Sequence, residues 1–190
     1  NNSAHLTIDV VTIEQYIVSC TAPSTQASTF NSSSITNNSM DISFTRGDGD
    51  GGVLVVAKAG SAVDADPTSA TSYTANAAFG NGQEIGTGNF VVYNGTANGA
   101  SIASGNISIS NLLEATTYHF DVYEYNATGT CYDLAELVGN ATTTCSTPAE
   151  VTNEAGSAGN AEVSVSWTDA TCFDEVLVVA STASVTGTPM

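Results

Sequence analysis

The densest chemistry-bearing stretch of the chain is Arg46-Gly47-Asp48-Gly49-Asp50-Gly51-Gly52. Asp48 and Asp50 are the candidate calcium ligands, because alternating carboxylates on a flexible loop offer hard oxygen donors to a hard cation. The pattern of a calcium loop is incomplete, since glycine stands where a third carboxylate belongs and Ala59 where a bidentate Glu would close the shell. Arg46-Gly47-Asp48 is also the tripeptide of integrin-type ligands, but a tripeptide arises easily by chance. The spacing Gly47-x-Gly49-x-x-Gly52 matches a phosphate loop, yet it leads into a strand and opens no helix, so a phosphate would meet no helix N-terminus. Against all three stands the plain reading of a flexible Gly/Asp turn between two strands.

Catalytic chemistry is thinner. The two histidines are His5 and His119. His119 alternates with Tyr118 and Phe120, so on a strand it faces solvent when they face the core. No Gly-x-Ser-x-Gly is present, and a Ser-His-Asp site has no activated serine to build on. Paired carboxylates are always findable among 19 acids, so Asp121 and Glu124 are expected on a solvated face. Tyr123, Tyr125 and Tyr132 are candidates for an exposed, sugar-stacking platform, or for the covering of a sheet edge. The expectation is a chain that is not an enzyme and that holds no cofactor, with calcium at Asp48 and Asp50 the one exception to weigh.

Charge excludes further classes. The 190 residues carry 19 acidic and 2 basic side chains, a formal net charge of −17. Lys58 and Arg46 cannot supply a phosphate-binding footprint, so neither nucleic acid nor an anionic membrane surface is an expected partner. Apolar runs of five residues, 53–57 and 176–180, are far too short for membrane insertion by a helix. A hydrophobic fraction of 42% nevertheless provides for a core.

The elements that must position these residues are strands. Met40, Ile42 and Phe44 alternate with polar neighbours, as a strand with one buried face requires. The continuous run 53–57 predicts a strand near a sheet centre, and 89–93, 106–110, 117–125 and a last strand within 136–143 follow. Asn94-Gly95 and Asn98-Gly99 are expected turn residues. No window has a helical period of useful length. The class is all-β.

A repeat organises the chain. Residues 43–57 align without gaps on residues 166–180 at a constant offset of 123, and Cys20-Thr-Ala-Pro23 faces Cys145-Ser-Thr-Pro148. Tandem modules follow, 20–144 and 145–190, the second running only from its first strand to its third, at 176–180. Residues 1–19, with the alternating His5-Leu-Thr-Ile8-Asp9-Val-Val-Thr-Ile13, are expected to be a closing strand or linker from a preceding domain, or an extra edge strand of the first module. The start at Asn1 without a leader predicts processing or excision, and the stop at Met190 in mid-module predicts a window cut from a longer protein. The strands needed to cover the second module would come from the same longer chain or from a neighbouring subunit.

Leu112-Leu-Glu-Ala-Thr116-Thr-Tyr118-His-Phe120-Asp-Val122 resembles the fibronectin type III pattern, in which the Tyr forms a tyrosine corner. Trp167 takes the position of that family's core Trp, and Phe44 replaces it in the first module. With Gly-Asp-Gly-Asp50, Val-Leu-Val-Val-Ala57, Tyr73-Thr-Ala-Asn76, Val-Val-Tyr93-Asn-Gly-Thr96 and Tyr-Glu-Tyr125-Asn, the chain is similar to the fibronectin type III-like modules of large secreted Bacteroidetes proteins. The resemblance covers about residues 20–190 and implies tandem immunoglobulin-like β-sandwiches, secretion or display at the cell surface through the type IX route, and a structural or adhesive role. Surface glycans are the external ligand it would take, and the alternative roles are an accessory module of a secreted hydrolase and a strand-complemented filament subunit. Four cysteines without a Cys-x-x-Cys spacing suggest two disulfides in an exported chain. In the implied sandwich, Cys20 shares a pole with Cys131, and Cys145 with Cys172, so these are the pairs that the resemblance implies.

Overall fold

The computed structural model describes residues 20–95, 106–146, 150–169, 172 and 175–182. His5 and the segment 1–19, the Asn98-Gly99 turn and Pro148 lie outside the described residues, so expectations placed on them are not taken further. Among the described residues the ordered elements are ten strands: β1 (Ser28–Ser33), β2 (Met40–Thr45), β3 (Gly52–Ala59), β4 (Phe90–Gly95), β5 (Ile107–Ile109), β6 (Thr117–Asn126), β7 (Cys131–Tyr132), β8 (Leu137–Thr142), β9 (Thr152–Ala158) and β10 (Val163–Thr168). The all-β class expected from the sequence is the class observed.

Alternation in β2 places Met40, Ile42 and Phe44 inward, each buried, while Asp41, Ser43 and Thr45 turn away. β2 is flanked by β1 and β5 in a three-stranded sheet. The facing sheet runs β4-β3-β6, and β7 and β8 share the far edge of β6: β8 pairs with Thr117–Val122, and β7 pairs with Tyr125 and Asn126. All of these pairings are antiparallel. Between the sheets lies one core made from Met40, Ile42, Phe44, Val53, Val55, Ala57, Ile107, Ile109, Tyr118, Phe120 and Val122. Burying an aliphatic or aromatic side chain of this size stabilises by about 1.5–3 kcal/mol. Phe30 of β1 stacks on Phe120 with ring centroids 5.7 Å apart, closing one side of the sandwich.

Strand β3 is buried on both faces. Val53, Val55 and Ala57 enter the core between the sheets, and Leu54 and Val56 enter a second cluster on the outer face with Tyr73, Ile85, Val91, Tyr123, Tyr125 and Tyr132. The outer cluster exists because the 30-residue connection 60–89 between β3 and β4 folds back over the sheet and contributes Val63, Ala65, Tyr73, Ala75 and Ile85. Backbone bonds hold this cover in place: Val91 donates to Gln83 O at 2.9 Å, Asn76 to Val91 O at 3.1 Å, and Ala70 to Gly129 O at 3.1 Å.

That cover corrects one expectation. Tyr123, Tyr125 and Tyr132 do not form an exposed platform; they are 0%, 7% and 4% exposed beneath residues 60–89. Asp121 and Glu124 are likewise buried, at 6% and 0%, and not on a solvated face: Asp121 lies on the outer side of β6, which carries the second core, and Glu124, on the same side as Phe120 and Val122, is covered by Arg46 and Gly47. Asn94-Gly95 closes β4 as paired strand, with Leu54 opposite Asn94.

Beyond residue 150 the chain forms the antiparallel pair β9–β10. The third strand expected over 176–180 is absent: residues 175–180 are described without strand pairing, and Leu177, Val178 and Val179 are 70%, 52% and 56% exposed. A strand needs partners on its edges, and among the described residues no strand pairs with this run, whereas its counterpart 53–57 is held between β4 and β6.

Candidate functional site

The loop between β2 and β3 is built by its acids and glycines, and both are used internally. The Arg46 guanidinium makes a two-pronged contact with the Glu124 carboxylate, Nε to Oε1 at 2.8 Å and Nη2 to Oε2 at 2.7 Å, and Nη2 also donates to Gly49 O at 2.8 Å. Glu124 further accepts the Gly47 N–H at 2.7 Å. The side chains of Arg46 and Glu124 are 10% and 0% exposed, so this is a buried, fork-shaped ion pair. Gly49 must lack a side chain: a Cβ there would lie 2.7 Å from Glu124 Oε2 and 2.8 Å from Tyr125 O.

Asp48 turns the other way, towards the first residues of the sandwich. Its Oδ1 accepts the N–H groups of Ser24 at 3.0 Å and Thr25 at 2.8 Å, and Oδ2 accepts the Ser24 hydroxyl at 2.5 Å. These donors, the Ser24 hydroxyl foremost, hold the Asp48 carboxyl below the usual carboxylate range. Asp50 fastens the end of β6: its Oδ1 accepts Ala127 N–H at 2.7 Å, while its own N–H donates to Asn126 Oδ1 at 3.1 Å. The two candidate calcium ligands thus diverge to separate N–H donors. Among the described residues, no group of three or more His, Cys, Asp or Glu side chains is arranged to hold a metal ion. Arg46, folded onto Glu124, does not project from an Arg-Gly-Asp tip.

Cys20 and Cys131 meet at the same pole as this loop. Cys20 is disulfide-bonded to Cys131 with Cα atoms 5.5 Å apart, joining the start of the sandwich to β7 across 111 positions. Cys145 is bonded to Cys172, also at 5.5 Å, across 27 positions. Asn126 Nδ2 donates to Thr21 O at 3.1 Å beside the first bridge. Tyr118 is fully buried, and its hydroxyl accepts the Leu113 N–H at 2.8 Å. Phe44 lies in the core, while Trp167 is half-buried on β10, its indole N–H donating to Asp169 at 2.9 Å. His119 is partly buried on β6 opposite Lys58. The second base, Lys58, bonds Asp64 at 2.6 Å, so both cations of the chain are engaged with carboxylates.

No protein-family model matches the chain, and no curated protein matches it. The functional reading therefore rests on the molecule alone. Two disulfides fit an oxidising, extracellular compartment. Among the described residues no helix is long and apolar enough to cross a membrane.

What the sequence did not disclose is the tyrosine layer. Two of its hydroxyls tie the sheet side to the cover, Tyr132 donating to Thr71 O at 3.0 Å and Tyr123 to Asp66 Oδ1 at 3.1 Å, while Tyr125 donates to Asn94 Oδ1 of β4 at 3.0 Å and Tyr73 accepts Thr68 N–H within the cover at 2.8 Å. Burial pushes the Tyr123 and Tyr132 hydroxyls well above the usual phenol range, so they remain protonated donors. A signal for this layer was present in β3, whose five consecutive apolar residues need two covered faces.

The β9–β10 pair carries an exposed apolar surface. Val151, Val165, Trp167, Val176, Leu177, Val178 and Val179 line an open groove of about 400 Å³.

Proposed function

We propose that this chain is a non-catalytic structural or adhesive spacer segment of a large secreted or cell-surface multidomain protein. The observation that carries the reading is the use made of the chemistry-bearing loop: Arg46, Asp48 and Asp50 each bond the protein's own backbone or Glu124. A loop spent on joining β6 and its end to Ser24 and Thr25 is a brace, and the Cys20–Cys131 bond reinforces it at the same pole.

The fibronectin type III-like reading is part of this proposal. Strands β1, β2 and β5 face β4, β3, β6 and β8, an arrangement that supports it, as does the Tyr118 hydroxyl bonded to upstream backbone. Secretion, type IX export and adhesion follow from that likeness.

A glycan array probed with the 190-residue protein tests the role. A spacer gives no selective signal, since the tyrosines that could stack on sugars are covered by residues 60–89. Strong binding to one polysaccharide class would instead favour an accessory module of a secreted hydrolase.

One observation favours a second reading, a strand-complemented subunit. The run 176–180 repeats 53–57, yet the first is exposed beside Trp167 and the second is buried on both faces. An added antiparallel strand would satisfy it as β6 satisfies β3. Sedimentation of the protein distinguishes the two readings: concentration-dependent assembly with a shift in Trp167 emission supports complementation by a second copy, and a monomer with strongly protected amides at 176–180 rules it out.

A further inference from the structure

Asp121 is the buried titratable group that the bracing role leaves unused. It lies on the outer face of β6, 6% exposed, where β3 places Val56 opposite and β8 places Val138. Two residues along the same face, the Tyr123 hydroxyl stands 3.3 Å from Asp121 Oδ2 and 3.1 Å from Asp66 Oδ1. Asp66 belongs to the cover, the segment 60–89, and Asp121 to the sheet. A phenol has one proton to donate, and here two carboxylates from two layers compete for it.

The surroundings sharpen the competition. Glu136 from the β7–β8 connection and Asp66 from the cover both set negative charge against Asp121, while the Tyr123 hydroxyl bonds it. His119 on β6 and Lys58 on β3 lie opposite each other on this same face, with Lys58 bonded to Asp64. Burial first, then Glu136, raise the Asp121 carboxyl to about 6.

We propose that Asp121, Tyr123 and Asp66 form a proton-sensitive latch that fastens the cover to the sheet. When Asp121 takes up a proton it becomes a donor to the Tyr123 oxygen, the Tyr123 O–H donates to Asp66 alone, and a continuous hydrogen-bonded chain Asp121 to Tyr123 to Asp66 links the two layers. When Asp121 loses that proton, one donor serves two anions, and charge repulsion among Asp66, Asp121 and Glu136 loosens residues 60–89. The device makes the outer layer tighter in mildly acidic surroundings, and the Tyr125 and Tyr132 rings more accessible in neutral ones.

The sign follows from linkage. A carboxyl raised from 3.8 to about 6 when the cover is closed binds its proton more tightly in the closed form. Lowering the pH from about 8 to about 5 then favours closure by up to about tenfold, if opening restores the ordinary carboxyl. Hydrogen exchange of the backbone amides of residues 60–89, corrected for intrinsic rates, reads this directly. In the native protein, protection is expected to rise by up to that factor on acidification. In Asp121→Asn, whose amide is a permanent donor, protection near neutrality should equal that of the native protein in acid and should not vary with pH. Tyr123→Phe keeps the ring and removes the relay, so protection in acid should be lower than in the native protein, while a response to pH remains because burial and Glu136 still raise the Asp121 carboxyl. Equal protection of the native protein at both pH values, a native pH response retained in Asp121→Asn, or native protection in acid retained in Tyr123→Phe overturns the proposal.

Discussion

The guanidinium of Arg46 and the carboxylate of Glu124, 78 positions apart in sequence, meet through two hydrogen bonds of 2.8 and 2.7 Å inside the protein. Removing one partner strands the other as a buried charge, which costs about 3–5 kcal/mol. Arg46→Met and Glu124→Leu should each lower stability by about that much in urea unfolding, while the double variant should recover most of the loss because no charge is left unpaired. Equal losses that simply add would contradict the pairing.

The two disulfides should differ in worth. Loop-closure entropy grows with the logarithm of the enclosed length, and the loops are 111 and 27 residues. Paired Cys→Ser replacement at Cys20 and Cys131 should cost about 1 kcal/mol more than at Cys145 and Cys172, within an expected range of about 2–5 kcal/mol for either bridge. Calorimetry of the two double variants, with each transition assigned by exchange of its own amides, measures the difference.

Tyr118→Phe removes the acceptor of the Leu113 N–H and leaves the ring in the core. A loss of about 1 kcal/mol is expected, with the strand pairing of β6 unchanged in exchange patterns. A larger loss with disordered β6 would mean that the ring and not the hydroxyl matters.

Stability should be greatest in mild acid, and the two sides of that maximum have different causes. Asp41, Asp48, Asp64 and Glu114 are held below their ordinary values by hydrogen bonds, chiefly from Ser108, Ser24, Lys58 and Ser146, so their contribution is present above 3.8 to 4.5 and lost as pH falls. Asp121 has the opposite sign: its raised carboxyl favours the folded form in acid, and that advantage is lost as pH rises through about 6. Urea midpoints measured across pH should therefore fall on both sides of about pH 4 to 5, and Asp121→Asn should flatten the neutral side only.

Period-two patterning made the inner core legible, because β2 and the start of β6 each bury one face: Met40, Ile42 and Phe44 from one, Tyr118, Phe120 and Val122 from the other. The polar edge strand β1, Ser-Thr-Phe-Asn-Ser-Ser, carries no such pattern, since only Phe30 reaches the core. The outer layer escaped for a related reason. Residues 60–89 pair little as strands and bring scattered Val63, Tyr73 and Ile85 to the sheet, so no local periodicity announces them. Without that cover, Tyr123 and Tyr125 read as solvent-facing, although the unbroken run 53–57 required something on both sides. At the loop, residue types suggested ligands, but which partner satisfies Asp48 or Arg46 depends on residues 24 and 124, a tertiary fact. The run 176–180 makes the same point in reverse, since an identical pattern stays unpaired where, among the described residues, no strand is hydrogen-bonded to it.

The bracing account stands or falls on how the molecule bears load. Pulling the 190-residue protein from its two ends, with and without reductant, measures the chain released on unfolding. With both bonds intact, the 111 and 27 positions they enclose should be withheld, and reduction should add roughly 470 Å of extended chain, roughly 380 Å of it from the Cys20–Cys131 loop. An identical extension in both conditions would contradict the claim that this sandwich is a stapled spacer.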